Sequence, residues 1–302
     1  MPLVAMGNDP IPSTLRGGVW TLGNFDGVHR GHRALIDVAI ARAGALGCAA
    51  GVLTFDPAPR DIVRPDHRVP RIQSLRARLQ TLGECGINAL VVLPFDAVRA
   101  AQRAEDFALE VLGERLGASE IAVGPDFRFG SRRTGTPATL HRVLGVPVHT
   151  AQAVGDASGP WSSSRIRLAL AEGDVAAAAL ALGRHHHVAG QVVTGDARGR
   201  TLGFPTANLV SDGELLPADG VYAVTVQGSG PERHGVANLG VRPTFAGREH
   251  RFEVHVLDFS GDLVGQRLNV GFVARLRGEM RFDGPDTLRA QIALDIAAAR
   301  KL

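Results

Sequence analysis

Up to about residue 182 the chain alternates between short apolar runs and segments of helical period, and beyond residue 187 that alternation stops. The apolar runs are GGVWTL (17–22), AAGVLTF (49–55), NALVVLPF (88–95) and EIAVG (120–124). Helical segments such as RALIDVAIARAGAL (33–46) and AEDFALEVLGERLG (104–117) lie between them. Short buried strands alternating with helices predict a parallel, right-handedly wound α/β sheet, with ligands at the carboxyl ends of its strands. Two short helices, roughly 163–171 and 174–182, then lead to GRHHH at 183–187. After it the runs VAGQVV (188–193), GVYAVTV (220–226), HGVANLG (234–240), RFEVHVLDF (251–259) and RLNVGFVARL (267–276) place β-formers between Gly, Pro and Asp turns, which predicts an antiparallel barrel. The closing PDTLRAQIALDIAAARKL reads as one amphipathic helix, acidic at its start and basic at its end, packed on that barrel. The expected fold class is therefore α/β plus all-β, with domains at 1–184 and 185–302. A length of 302 residues, long for a single core, agrees with two.

Composition narrows the chemistry. Lys301, at the C-terminus, is the only lysine, which excludes a P-loop and a Schiff-base enzyme; phosphates must be met by arginine, histidine and backbone N–H groups. Cys48 and Cys85 are the only cysteines, so neither a disulfide framework nor a CxxC metal knuckle is available. Net charge is +3 with acidic residues interspersed among the arginines, so no nucleic-acid footprint is expected. No apolar stretch approaches the ~18 residues of a membrane span. The first sixteen residues do not read as a secretory signal, and a cytoplasmic location is expected.

Two stretches carry candidate chemistry. In TLGNFDGVHRGHRALI (21–36) an apolar strand ends in a Gly-rich turn that opens a helix, with His29 and His32 three residues apart on one face of its first turn. Free N–H groups and the positive dipole end suit that place to a nucleotide triphosphate, although a surface histidine pair has the same spacing. TGDARGRTLGFPTANL (194–209) joins three glycines and two arginines to Pro205, Thr206 and Asn208. Glycines let backbone N–H groups approach phosphates, and the Thr206 and Asn208 oxygens suit Mg²⁺; a plain surface turn is the alternative. In RFEVHVLDF, Glu253 and His255 alternate with Phe252, Val254 and Val256, so Glu253 is either a solvated outer-face carboxylate or a general base in a cleft. His185, His186 and His187 are read as linker, because strand neighbours point to opposite faces and make a poor metal site.

These stretches carry a resemblance. GNFDGVHRGH resembles the HxGH signature of nucleotidyltransferases in the form seen in the FMN adenylyltransferase module of bacterial FAD synthetases. GPDFRFG (124–130) and SSSRIR (162–167) resemble that module's second and third motifs. GRTLGFPTANL, NLGVRPTF (238–245), FEVHVLDF and LRGEMRFDG (276–284) resemble the riboflavin kinase domain in order and spacing. The resemblance spans roughly residues 17 to 300. It implies a Rossmann-like nucleotidyltransferase domain followed by a kinase barrel with a terminal helix, which together would make FMN from riboflavin and FAD from FMN.

On that resemblance His29 and His32 contact ATP phosphates, within a site formed by Gly23, Asn24, Phe25, Asp26 and Gly31. Asp126 shapes the substrate site, and Ser163, Ser164 and Arg165 or Arg167 hold pyrophosphate. Thr206 and Asn208 bind MgATP and Glu253 is the kinase base. Gly195, Gly199, Arg200, Thr201, Gly203 and Pro205 form the loop around ATP or flavin, and Arg277 lines a flavin-side flap or is a surface arginine. The implied co-substrate is ATP, the metal Mg²⁺, and the other ligands riboflavin, FMN and FAD. The expected partners are small molecules only, with no nucleic acid and no membrane, for a monomer or weak homo-oligomer. Departures from the family pattern are Pro125 for an acidic residue, Thr136 for Asp, Ser164 for Thr and Val264 for Tyr. A protein with a single one of the two activities, or a non-enzymatic flavin or RNA binder on the same fold, are the rival readings.

Overall fold

The computed structural model describes residues 2–195, 199, 202–244 and 247–302. They form two compact units, one of residues 1–69 and 75–162 and one of residues 70–74 and 163–302.

The first unit holds a six-stranded parallel sheet. Its strands are β1 (Leu3–Met6), β2 (Val19–Leu22), β3 (Ala50–Phe55), β4 (Ala89–Leu93), β5 (Glu120–Val123) and β6 (Val148–Thr150), in the order β1-β4-β3-β2-β5-β6. Among these, β2, β4 and β5 are buried along their whole length, as expected of a sheet covered on both faces. Alternate residues feed two cores: Trp20, Leu53, Val91 and Ile121 enter one, and Val19, Val52, Leu90 and Ala122 enter the other. Gly51 is fixed by this packing, since a Cβ there would collide with the Trp20 indole.

The unit's helices are α1 (Arg30–Leu46), α2 (Pro59–Val63), α3 (Leu75–Gly83, whose first residues follow the 70–74 segment), α4 (Ala97–Ala101), α5 (Ala104–Phe107, continuing as π-type turns over Ala108–Arg115) and α6 (Pro137–Leu144). A small hairpin of β7 (Gly155–Asp156) and β8 (Gly159–Pro160) ends it. Strand order reverses on either side of β2, so the gap between the carboxyl ends of β2 and β5 is the switch point where such sheets bind ligands.

The second unit is a closed antiparallel barrel of β9 (His186–Val193), β10 (Ala207–Ser211), β11 (Gly220–Gln227), β12 (Arg233–Thr244), β13 (Gly247–Val256) and β14 (Arg267–Arg277), in the order β10-β13-β12-β11-β14-β9. Closure leaves no sheet edge to pair with other chains. Helix α7 (Ser163–Glu172) and helix α8 (Val175–Leu182) belong to this unit, which therefore begins before the expected boundary at 184/185. The reason is tertiary. Ala218 N–H donates to Leu170 O, Arg275 Nη1 donates to Glu172 O, and α8 packs on β9 and β14.

Residues 70–74 join the same unit through the Leu215 N–H bond to Arg71 O and the Arg167 Nε bond to Pro70 O. The histidines read as linker also belong to it, because His186 and His187 open β9. His186 is buried, its Nε2 2.7 Å from Leu215 O. The terminal helix α9 (Pro285–Ala299) packs on β11, β12 and β14, with Asp286 in its first turn; Arg300 and Lys301 lie just past its end rather than within it.

Candidate active sites

The turn after β2 is strained and tightly held. Phe25 and Val28 have φ of +51° and +40°, costing about 1–3 kcal/mol each, and Gly27 sits at +86°. Burial offsets that strain, with Phe25 and Val28 both inside the core. The Asn24 carbonyl accepts from Thr54 Oγ1 at 3.2 Å and from Arg78 Nη1 at 2.8 Å. Gly23 gives room for the Phe25 ring, and a Cβ at Gly31 would crowd the His29 ring and the Trp161 carbonyl.

His29 is the N-cap of α1, and its Nδ1 accepts the His32 backbone N–H at 3.3 Å. That bond leaves Nε2 as the protonated ring nitrogen of a neutral His29. The two imidazoles stack at 3.7 Å between centroids, with Phe25 tilted against His32 at 5.1 Å. Burial, then the charges of His29 and Arg78, hold the His32 pKa well below the usual histidine value. His32 is thus neutral at physiological pH, and among the described residues its buried Nδ1 has no hydrogen-bond partner.

Across the switch point, β5 ends at Val123 and Pro125 occupies a tight turn closed by Phe127 N–H to Gly124 O. Asp126 beyond it is exposed. The departure at Thr136 has a structural account: Thr136 is the N-cap of α6, in a reciprocal capping box with Thr139. Asp and Thr both cap helices, so the exchange keeps that role. The third motif opens α7 in the second unit. Ser163 and Arg165 are half-buried, Ser164 is exposed, and Arg167 bonds Pro70 O. The structure therefore brings the first two motifs to neighbouring strand ends of one sheet, while residues 163–167 group with the other unit.

The second site lies on the barrel's outer face. Phe252, Val254 and Val256 point inward, so Glu253 and His255 point out, yet the Glu253 side chain is only 19% exposed. Strand register sets Asn208 of β10 opposite Glu253 of β13, and Glu253 opposite Asn238 of β12, forming a polar row across three strands. Arg251 Nε lies 3.5 Å from Glu253 Oε1. Gly195 runs against Asn208 so closely that a Cβ would collide with its amide. Gly199 abuts Phe204 O, and a Cβ there would lie 3.1 Å from Thr206 Oγ1. Gly203 takes φ of +87°, and His255 Nδ1 lies 2.7 Å from Pro205 O, tying this loop to β13.

Arg200 and Thr201 lie outside the described residues. Asn238, Arg251 and His255 were given no role in the sequence; strand pairing sets Asn238 opposite Glu253, and Arg251 and His255 flank Glu253 two residues away on the same face of β13. Thr206, Asn208 and Glu253 offer oxygen donors alone, and among the described residues no cluster of three or more His, Cys, Asp or Glu could cage a metal. That set fits Mg²⁺ carried in with substrate phosphates and retaining waters. Arg277 is committed elsewhere: Nε and Nη2 bond both Asp295 oxygens, Nη1 bonds Gly278 O, and the guanidinium lies over Phe282. It anchors α9 to the barrel. Val264 is 50% exposed.

Comparison with known proteins likewise matches the chain in two parts. A family model described as FAD synthetase matches residues 11–165, and one described as riboflavin kinase matches residues 182–302. The bifunctional riboflavin kinase/FMN adenylyltransferase of Escherichia coli K12 is 40% identical over 94% of this chain and 92% of its own. That of Bacillus subtilis is 33% identical over 92% and 90%. A crystal structure named as a macrolide-efflux protein from Streptococcus pneumoniae matches with a TM-score of 0.93 at 34% identity, covering 99% of both chains. Among the described residues no helix is long and apolar enough to cross a membrane. With both halves matched in order and curated relatives matched along nearly their full length, the chain belongs to the bifunctional riboflavin kinase/FMN adenylyltransferase family.

Proposed function

We infer that this protein makes FMN from riboflavin on its barrel and FAD from FMN on its parallel sheet, consuming ATP in each step. The observation that carries the kinase assignment is the nearly enclosed Glu253 set opposite Asn208 in strand register, beside a glycine-bearing loop. Glu253 takes the proton from the ribityl hydroxyl as that oxygen attacks the γ-phosphorus, and ADP leaves. Thr206 and Asn208 would hold Mg²⁺, which neutralises charge building on the transferred phosphoryl group.

On the sheet, an FMN phosphate oxygen attacks the α-phosphorus of ATP in line, and pyrophosphate departs. There is little covalent chemistry for side chains to do beyond alignment and charge stabilisation. His29 offers Nε2–H to a phosphate oxygen, neutral His32 stacks behind it, and the free N–H groups of α1 add to the same pole. Ser163, Ser164, Arg165 and Arg167 are assigned to pyrophosphate, and Asp126 to the substrate side. The protein works in this reading in the cytoplasm, as a monomer or weak homo-oligomer, with no nucleic-acid partner.

The test incubates the full chain with riboflavin, ATP and Mg²⁺ and separates the flavins by chromatography. Wild type accumulates FAD. Glu253→Ala loses roughly 100-fold to 10,000-fold in FMN formation while still converting supplied FMN. His29→Ala stalls at FMN. Wild type stopping at FMN would reduce the protein to a kinase, and no turnover at all would favour a binding protein.

A further inference from the structure

We propose that Arg78 is a positioning residue for adenylyl transfer, locking the turn that presents His29 and His32 without itself touching substrate. This rests on the reading of that turn as the adenylyl-transfer site. Arg78 lies in the middle of α3, in a stretch that none of the sequence motifs covers. Its side chain is only 7% exposed. The bonds that a buried guanidinium makes fix its geometry, because water cannot replace them. Here Nη1 donates to Asn24 O at 2.8 Å and Nη2 donates to Phe55 O at 3.0 Å, with the Asp56 carboxylate 3.7 Å away.

Those two carbonyls end neighbouring parallel strands: Phe55 is the last residue of β3, and Asn24 follows the last residue of β2 by two. One planar fork therefore ties two strand ends together on the ligand-binding edge of the sheet. Its grip falls immediately before Phe25, the first of the left-handed residues in the turn. A strained turn persists only where its surroundings over-determine it, and at the Asn24 carbonyl the Arg78 bond is shorter than the Thr54 bond. Releasing it lets the turn relax and carries the N-cap His29 away from the line of attack, because His29 lies four residues beyond Phe25. Lysine cannot substitute fully, since a single ammonium on a flexible stem does not span both carbonyls with fixed geometry.

The experiment compares wild type, Arg78→Gln and Arg78→Lys as full chains, measuring kcat and KM for FMN adenylylation. Riboflavin phosphorylation by the same samples serves as the control for folded protein. The expected result is a kcat for adenylylation lowered about 100-fold in Arg78→Gln, the scale for ~1 Å misalignment of reacting groups, with KM for FMN changed less than about threefold. Arg78→Lys should recover part of that loss, and phosphorylation should match wild type in both. Adenylylation by Arg78→Gln within threefold of wild type overturns the proposal. So does a loss that tracks the fraction of unfolded protein, or one that appears in KM alone. Wild type unable to make FAD would instead remove the underlying assignment of the site.

Discussion

A Cβ at Gly195 would occupy the space of the Asn208 amide, so this glycine is required by its neighbour rather than by its own backbone angles. Gly195→Ala is expected to push Asn208 out of line with Glu253 and to lower riboflavin phosphorylation about 10-fold or more, leaving FMN adenylylation at the wild-type rate. Separate assays of the two half-reactions check it; equal rates for both would show that the loop absorbs the methyl group. At this scale the sequence was legible in residue type and blind to direction. Glu253 was readable as one of two things because a strand alternates faces, and the structure gives it an outer-face position with little exposure. His255 and Asn238 lay within the FEVHVLDF and NLGVRPTF stretches but had no role of their own there, since Asn238 meets Glu253 only through the register of β12 with β13. Arg277, placed by resemblance near the flavin, has its donors taken up by Asp295 and Gly278.

Elements were legible where their apolar pattern was strong. The four runs read as β2 to β5, and five of the six barrel strands, stand where the pattern put them. Strand β10 was hidden because Ala207–Asn208 also belongs to the phosphate-loop motif, and β1 and β6, of four and three residues, are too short to set a period. Helix α6 was missed for its brevity, yet its start is well specified: Thr136 as N-cap, Pro137 at the first position, Thr139 completing the box, and Gly145 in left-handed conformation at the end. Thr136→Ala should therefore cost about 1 kcal/mol of stability, while Thr136→Asp, which restores the residue usual in the family, should cost little. Urea unfolding followed by tryptophan emission checks this. An Ala variant as stable as wild type would mean that α6 is held by Leu140 and its packing alone.

For the whole molecule, two cores imply two responses to acid. In the barrel, burial above all lowers the pKa of His186 from 6.5 to about 4, against the bond to Leu215 O. An unfolded chain then binds a proton between those values that the folded barrel refuses. Stability falls as pH drops through 6.5 towards 4, by about 3 kcal/mol in total. In the sheet unit, Glu120 is hydrogen-bonded by Arg42 at 2.7 Å through both Nε and Nη2 and lies 2.7 Å from His149 Nε2. The Arg42 bonds foremost lower its pKa from 4.5 to about 2, so its contribution is intact above pH 4.5 and is lost only below that.

Acid should accordingly weaken the barrel before it releases this cluster. The chain carries its own reporters: its two tryptophans, Trp20 and Trp161, are in the first unit, and its one tyrosine, Tyr222, is in the barrel. Between pH 7 and pH 4.5 the thermal midpoint of the kinase half-reaction should fall, and that of tryptophan emission should fall too, because buried, neutral His32 refuses a proton in the sheet unit just as His186 does in the barrel. In His186→Asn, which has no proton to gain there, the kinase midpoint should fall less with acid while the tryptophan midpoint falls as in wild type. An unchanged fall of the kinase midpoint in that variant would assign the barrel's acid sensitivity to other groups and leave His186 as a packing residue alone.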